Sequence, residues 1–99
     1  MSKQLNRLIA VKNLLAHNRI SLLGLVLMLS LYEEGGEMPQ SAALERGLTK
    51  SGPFLSQTVK ELSAKDMIHS KTPIMGDHRK RWLVLDEAGL KVVKQYLKS

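Results

Sequence analysis

The chain of 99 residues carries 15 Lys and Arg against 9 Asp and Glu, a net charge of +6, with 43% apolar residues and no cysteine. That length supports one domain with a single core and little spare interior. The lack of cysteine excludes a disulfide framework, a thiolate metal site and a cysteine redox sensor.

The charge is uneven. Residues 1–20 contribute +4, residues 21–49 contribute −3, residues 50–81 contribute +4 and residues 82–99 contribute +1. Positive flanks around a negative middle are expected where one surface meets a polyanion, and also where charge serves only solubility.

The periodicity predicts a first amphipathic helix from Ser2 to about His17, with Leu5, Leu8, Ile9, Val11, Leu14 and Leu15 as its stripe. Asn18-Arg19 breaks it, and Ser21 is suited to cap a second helix over about 21–34 that Gly35-Gly36 ends. That second helix is apolar nearly all round, which predicts a central core helix. Its uncharged run, Ile20–Tyr32, is 13 residues, short of the roughly 20 that span a bilayer. The first residues interleave apolar and basic side chains, unlike a signal peptide. The expectation is a soluble, cytoplasmic protein with no membrane partner.

Pro39 suits the first turn of a short third helix, Pro39–Arg46, with Gly47 just past its end. Ser51-Gly52-Pro53 repeats the start signal, with Ser51 or Gly52 as the cap and Pro53 in the first turn, for a fourth helix running to about Lys65. Its inner face is Leu55, Val59 and Leu62, with Thr58 at the edge; Ser56, Gln57, Lys60 and Ser63 face outward. Met67–Thr72 and Lys80–Leu85 then read as two strands of a hairpin with Gly76-Asp77 at the turn. In the second, Leu83 and Leu85 point one way, Trp82 and Val84 the other. Asp86 caps a last helix over about 87–98.

Two short helices, a tight turn and a basic hairpin describe a winged helix-turn-helix, mainly α with a small β-hairpin. The fourth helix, with Pro53, Phe54, Ser56, Gln57 and Lys60 near its outward side, has the width to enter a DNA major groove of about 12 Å. Gln pairs with adenine, and Ser with base or phosphate. Phe54 reads first as a staple for its own helix, with contact to a thymine methyl as the alternative. Lys50 and Ser51 in the turn, and Lys71, His78, Arg79, Lys80 and Arg81 on the hairpin, read as contacts to DNA. Three adjacent cations at a hairpin neck repel one another, a cost that approaching phosphates offset.

Several short motifs point the same way. Ser56-Gln57-Thr58-Val59-Lys60-Glu61-Leu62 and the residues on to Ile68 look like a recognition helix turning into a wing. Asp77-His78-Arg79 matches a wing Asp-x-Arg, Leu85-Asp86-Glu87-Ala88-Gly89 looks like Leu-Thr-Glu-x-Gly, and Met38-Pro39-Gln40-Ser41 looks like the opening of a first helix-turn-helix element. Together they resemble the multiple-antibiotic-resistance-regulator (MarR) family of bacterial winged-helix repressors, over roughly residues 20–97. The resemblance implies a homodimeric transcriptional repressor of double-stranded DNA. It also implies a minor-groove role for Arg79 steadied by Asp77, and a dimer interface from helices 1–17 and 87–98 through Leu5, Leu8, Leu15, Val93, Tyr96 and Leu97; read from the residues alone, the same stripes serve equally to close the core of a single chain. Asp66 stands where the family has Gly, and the turn at Thr49–Pro53 is about two residues longer.

No phosphate loop, nucleophile motif or metal-ligand spacing is present, so no enzyme, cofactor or metal is expected. Two other readings stay open. One is a winged-helix module that grips an acidic protein through the basic hairpin and its apolar pair Ile74-Met75. The other is a DNA-binding replication or partition accessory protein of a phage or plasmid. Operator, effector and regulated genes are not readable from the residues.

Overall fold

The computed structural model describes residues 2–72 and 81–98. Helix α1 (Lys3–Asn18) begins at Ser2, whose Oγ accepts the Leu5 N–H at 3.1 Å. It ends where Arg19 turns left-handed at φ 55° and the Ile20 N–H reaches back to Leu15 O at 3.0 Å, a closure that satisfies the last carbonyls. Helix α2 (Leu22–Glu33) is capped by Ser21, whose Oγ accepts the Gly24 N–H at 3.0 Å.

Helix α2 is the central element, packed against both of the longer helices that follow it and against the sheet. Leu25, Leu27, Met28 and Leu31 are at most 3% exposed, and each such burial contributes about 1.5–3 kcal/mol. Its apolar run is therefore a core run. Among the described residues no single helix is long and apolar enough to cross a membrane.

The chain leaves α2 through Gly35 and Gly36, both at positive φ. Gly36 O accepts the Leu85 N–H at 2.7 Å, which holds this turn against the far end of the sheet. A side chain at φ 109° would be strained there.

The next segment departs from expectation. Residues Glu37–Pro39 are strand β1, and the third helix, α3 (Ser41–Glu45), starts two residues after Pro39 instead of on it. Pro39 lies opposite Trp82, and the next residue, Gln40, donates its N–H to Arg81 O at 2.8 Å. A proline that lacks a donor is tolerated on an edge strand, and β1 is an edge.

Helix α4 (Gly52–Ala64) leads through Asp66, at φ 57°, into strand β2 (Ile68–Lys71). Asp thus fills a left-handed position that usually favours glycine. Strand β3 (Trp82–Leu85) is the middle of an antiparallel sheet of order β1-β3-β2, with Met38↔Leu83 and Ile68↔Leu85 in register. Met38, Ile68 and Leu83 face the core, while Trp82 and Val84 sit half-buried on the outer face. The hairpin expected here accordingly supplies two strands of a three-stranded sheet, and residues 73–80 between them lie outside the described residues.

Helix α5 (Glu87–Lys98) closes the core with Val92 and Val93. Asp86 sits at its N-cap position, its carbonyl accepting the Leu90 N–H at 2.9 Å. The Asp86 carboxylate lies 2.7 Å from His69 Nδ1 and so links β2 to the start of α5.

Candidate nucleic-acid interface

Helix α4 is built to present one polar face. Thr49 Oγ1 accepts the Ser51 N–H at 3.2 Å, and Ser51 Oγ accepts the Phe54 N–H at 3.1 Å. These two bonds order the turn and cap the helix, while Pro53 occupies its first turn where no donor is needed. Leu55, Thr58, Val59 and Leu62 are buried. Thr58, expected at the edge, is only 2% exposed and donates its hydroxyl back to Phe54 O at 3.0 Å, so its polar atom is satisfied inside.

The opposite side of α4 exposes Pro53, Phe54, Ser56, Gln57, Lys60 and Glu61. Phe54 is 53% exposed, so about half of its surface is open to a partner. Gln57 Nε2 donates to Glu61 Oε1 at 3.2 Å.

A groove of about 650 Å³ runs between α3 and α4. Ser56 and Gly52 line it from α4, Gln40, Ser41 and Glu45 from the start and end of α3, and Arg81 from the foot of β3. The bond from Gln40 N–H to Arg81 O fixes the Arg81 backbone against the start of α3. Helix α3 is in turn tied to α2 by Arg46 and Glu34, 2.7 Å apart. The hydrogen bond from Arg46, and then its charge, hold the Glu34 carboxyl below the usual carboxylate range.

Thus Ser56 and Arg81, separated by the hairpin in sequence, share one groove. Lys50 and Ser51 are exposed in the turn before α4. Lys71 stands apart from these: its Nζ is 2.8 Å from Glu37 Oε2, across the outer face of the sheet. Asp77, His78, Arg79 and Lys80 lie outside the described residues.

Sequence reasoning passed over three side chains here. Gln40 and Ser41 became groove residues only through the β1–β3 pairing. Glu61 had a visible signal, its spacing of four from Gln57 on one helix.

No family model and no curated protein matches the chain. Solved structures do. A MepR–DNA complex from S. aureus superposes with a TM-score of 0.79 at 21% identity, over 97% of this chain and 82% of that one. YusO from Bacillus subtilis gives 0.75 at 19%, over 87% of this chain and 59% of its own. AbsC from Streptomyces coelicolor, a MarR family transcriptional regulator, gives 0.75 at 19%, over 96% and 65%. The chain therefore spans less than two thirds of the length of the last two. The fold is that of a MarR-like winged helix.

In this MarR-like fold α1 buries no residue of its own and rests chiefly on α5. Arg7 anchors it there, with its guanidinium 5.6 Å from the Tyr96 ring centroid and Nη2 donating to Tyr96 Oη at 3.3 Å. Leu5, Leu8 and Leu97 are exposed at 45%, 66% and 51%. Leu15 and Tyr96 are half-buried against the core. Val93 is fully buried, so the expectation that it lines a dimer face is corrected: it belongs to the core of the single chain, turned toward α2 by the helical period.

Proposed function

We propose that this protein is a double-stranded-DNA-binding transcriptional regulator, a dimeric repressor, with α4 as its recognition helix. The observation that carries this is the outward side of α4, where exposed Ser56, Gln57 and Lys60 adjoin a groove walled by Arg81, in a fold that MepR uses in complex with DNA. In this reading Gln57 and Ser56 meet base edges, and Phe54 reaches a thymine methyl from the start of the helix. Lys50, Ser51, Lys60 and Arg81 neutralise or hydrogen-bond phosphates, joined by Gln40 and Ser41 across the groove.

Lys71 would serve as a phosphate contact only after exchanging Glu37 for DNA, an exposed ion pair that contributes little. Asp77, His78, Arg79 and Lys80 are assigned to the wing, with Arg79 in the minor groove. Two chains joined through Leu5, Leu8 and Leu97, with Leu15 and Tyr96 behind them, would set two copies of α4 about 34–36 Å apart, one turn of DNA.

The test is fluorescence anisotropy of a labelled random-sequence duplex across a salt series. Each neutralised phosphate adds about −0.9 to the log–log slope, so Lys50, Lys60 and Arg81 of one chain give roughly −2.7 and a dimer about twice that. A flat salt response, or no binding at low salt, would overturn the DNA reading and favour an acidic protein partner.

A further inference from the structure

Helix α4 carries an acid on the side proposed to meet a polyanion. Glu61 is exposed, one turn beyond Gln57, and accepts a hydrogen bond from Gln57 Nε2. Among the described residues no cation forms an ion pair with its carboxylate. In a chain of net charge +6, such a carboxylate weakens every phosphate-driven encounter with DNA. It makes physical sense there if it does something a neutral side chain does not.

The chemistry of the pair is selective. A carboxylate accepts hydrogen bonds and donates none. In the major groove the donors are the exocyclic amino groups, N4 of cytosine and N6 of adenine, whereas guanine and thymine present O6 and O4, which are acceptors. Gln57, with one N–H committed to Glu61, keeps one N–H and its carbonyl oxygen. That is the donor–acceptor set that pairs with N7 and N6 of adenine. The two side chains are four residues apart, about 6 Å along the helix, so they fall within one or two base-pair steps of about 3.4 Å.

We propose that Glu61 is a specificity-determining residue. It holds the Gln57 amide in one orientation, and its second oxygen accepts from an amino-bearing base. Adenine or cytosine is selected at neighbouring positions, and guanine and thymine are rejected because carboxylate and carbonyl lone pairs oppose each other. The inference rests on the DNA-binding reading and adds to it the class of base that is read.

The experiment is selection from a randomised duplex library with the full chain, comparing wild type, Glu61→Gln and Gln57→Ala. Glu61→Gln keeps shape and a partner for Gln57 while removing the charge. The wild type should enrich a motif with adenine at one position and adenine or cytosine one or two steps away. Glu61→Gln should bind random duplex more tightly yet lose on the order of tenfold discrimination at one of those positions, the scale of a single good base contact. Gln57→Ala should lose discrimination at the neighbouring one. If Glu61→Gln returns the wild-type motif with all affinities scaled alike, Glu61 reads no base and the inference fails. If the wild type enriches nothing, the DNA-binding reading fails and takes this inference with it.

Discussion

Replacing Gly89 by Ala probes how the end of the sheet, the turn after α4 and the first turn of α5 lock together. Gly89 is buried, and an added Cβ would run into the main-chain oxygen of Met67. It would also stand 2.8 Å from Leu85 Cδ1 and 3.1 Å from Met28 Sδ. The two side chains have some freedom to move. The Met67 carbonyl has little, because it accepts the Asp86 N–H at 2.9 Å and that bond fixes the approach to α5.

Alanine in a helix gains about 1 kcal/mol over glycine. Overpacking costs about 1–3 kcal/mol, sometimes more, and weakening the Asp86 bond costs about 1. The expected net loss is about 1–3 kcal/mol, which for a domain of this size lowers Tm by roughly 5–20 °C. Thermal unfolding followed by far-ultraviolet circular dichroism measures it, at one protein concentration because an oligomer's Tm depends on concentration. Gly52→Ala is the control: nothing lies within 4 Å of its Cβ, and the stiffer unfolded chain should leave Tm unchanged or raise it. A Gly89→Ala protein melting at or above wild type would refute the close approach of α5 to the Met67 turn.

Leu8→Glu places a charge in the most exposed part of the α1 stripe. Sedimentation should show the wild type as a dimer and the variant as a monomer with unchanged helicity; a wild type that is monomeric at micromolar concentration would remove the dimer. Arg46→Ala removes the partner that depresses the Glu34 carboxyl pKa. A folded-state pKa below the unfolded one stabilises the fold above the unfolded value, and that contribution is lost as pH falls through the folded value. The variant should therefore show Glu34 titrating in the ordinary carboxylate range by NMR, and any Tm difference from wild type should vanish in acid. An unmoved Glu34 titration would mean the ion pair does not persist in solution.

Much of the fold was legible because local chemistry governs it. Ser21 announced the start of α2 and caps it; at α4 the signal left Ser51 and Gly52 open, and Ser51 is the cap. The all-round apolar character of 21–34 predicted a core helix, and alternation placed Leu83 and Trp82 on opposite faces, of which the structure buries Leu83. β1 was not legible. A three-residue strand has no period to detect, and Pro39 reads as readily as a helix start; only the open edge of β3 makes Glu37–Pro39 a strand.

The candidate site divides the same way. The polar outer face of α4, with Ser56, Gln57 and Lys60, follows from the period of one helix and was determined by sequence alone. The groove that sets Arg81 beside Ser56 and Gln40, the capture of Lys71 by Glu37 and the burial of Val93 were decided by tertiary structure. Each joins residues on separate elements, and for Lys71 and Glu37 the partners are 34 positions apart. Caps and amphipathic faces arise from groups within a turn or two of one another, which a linear pattern records; contacts across a sheet or between helices depend on how those elements pack.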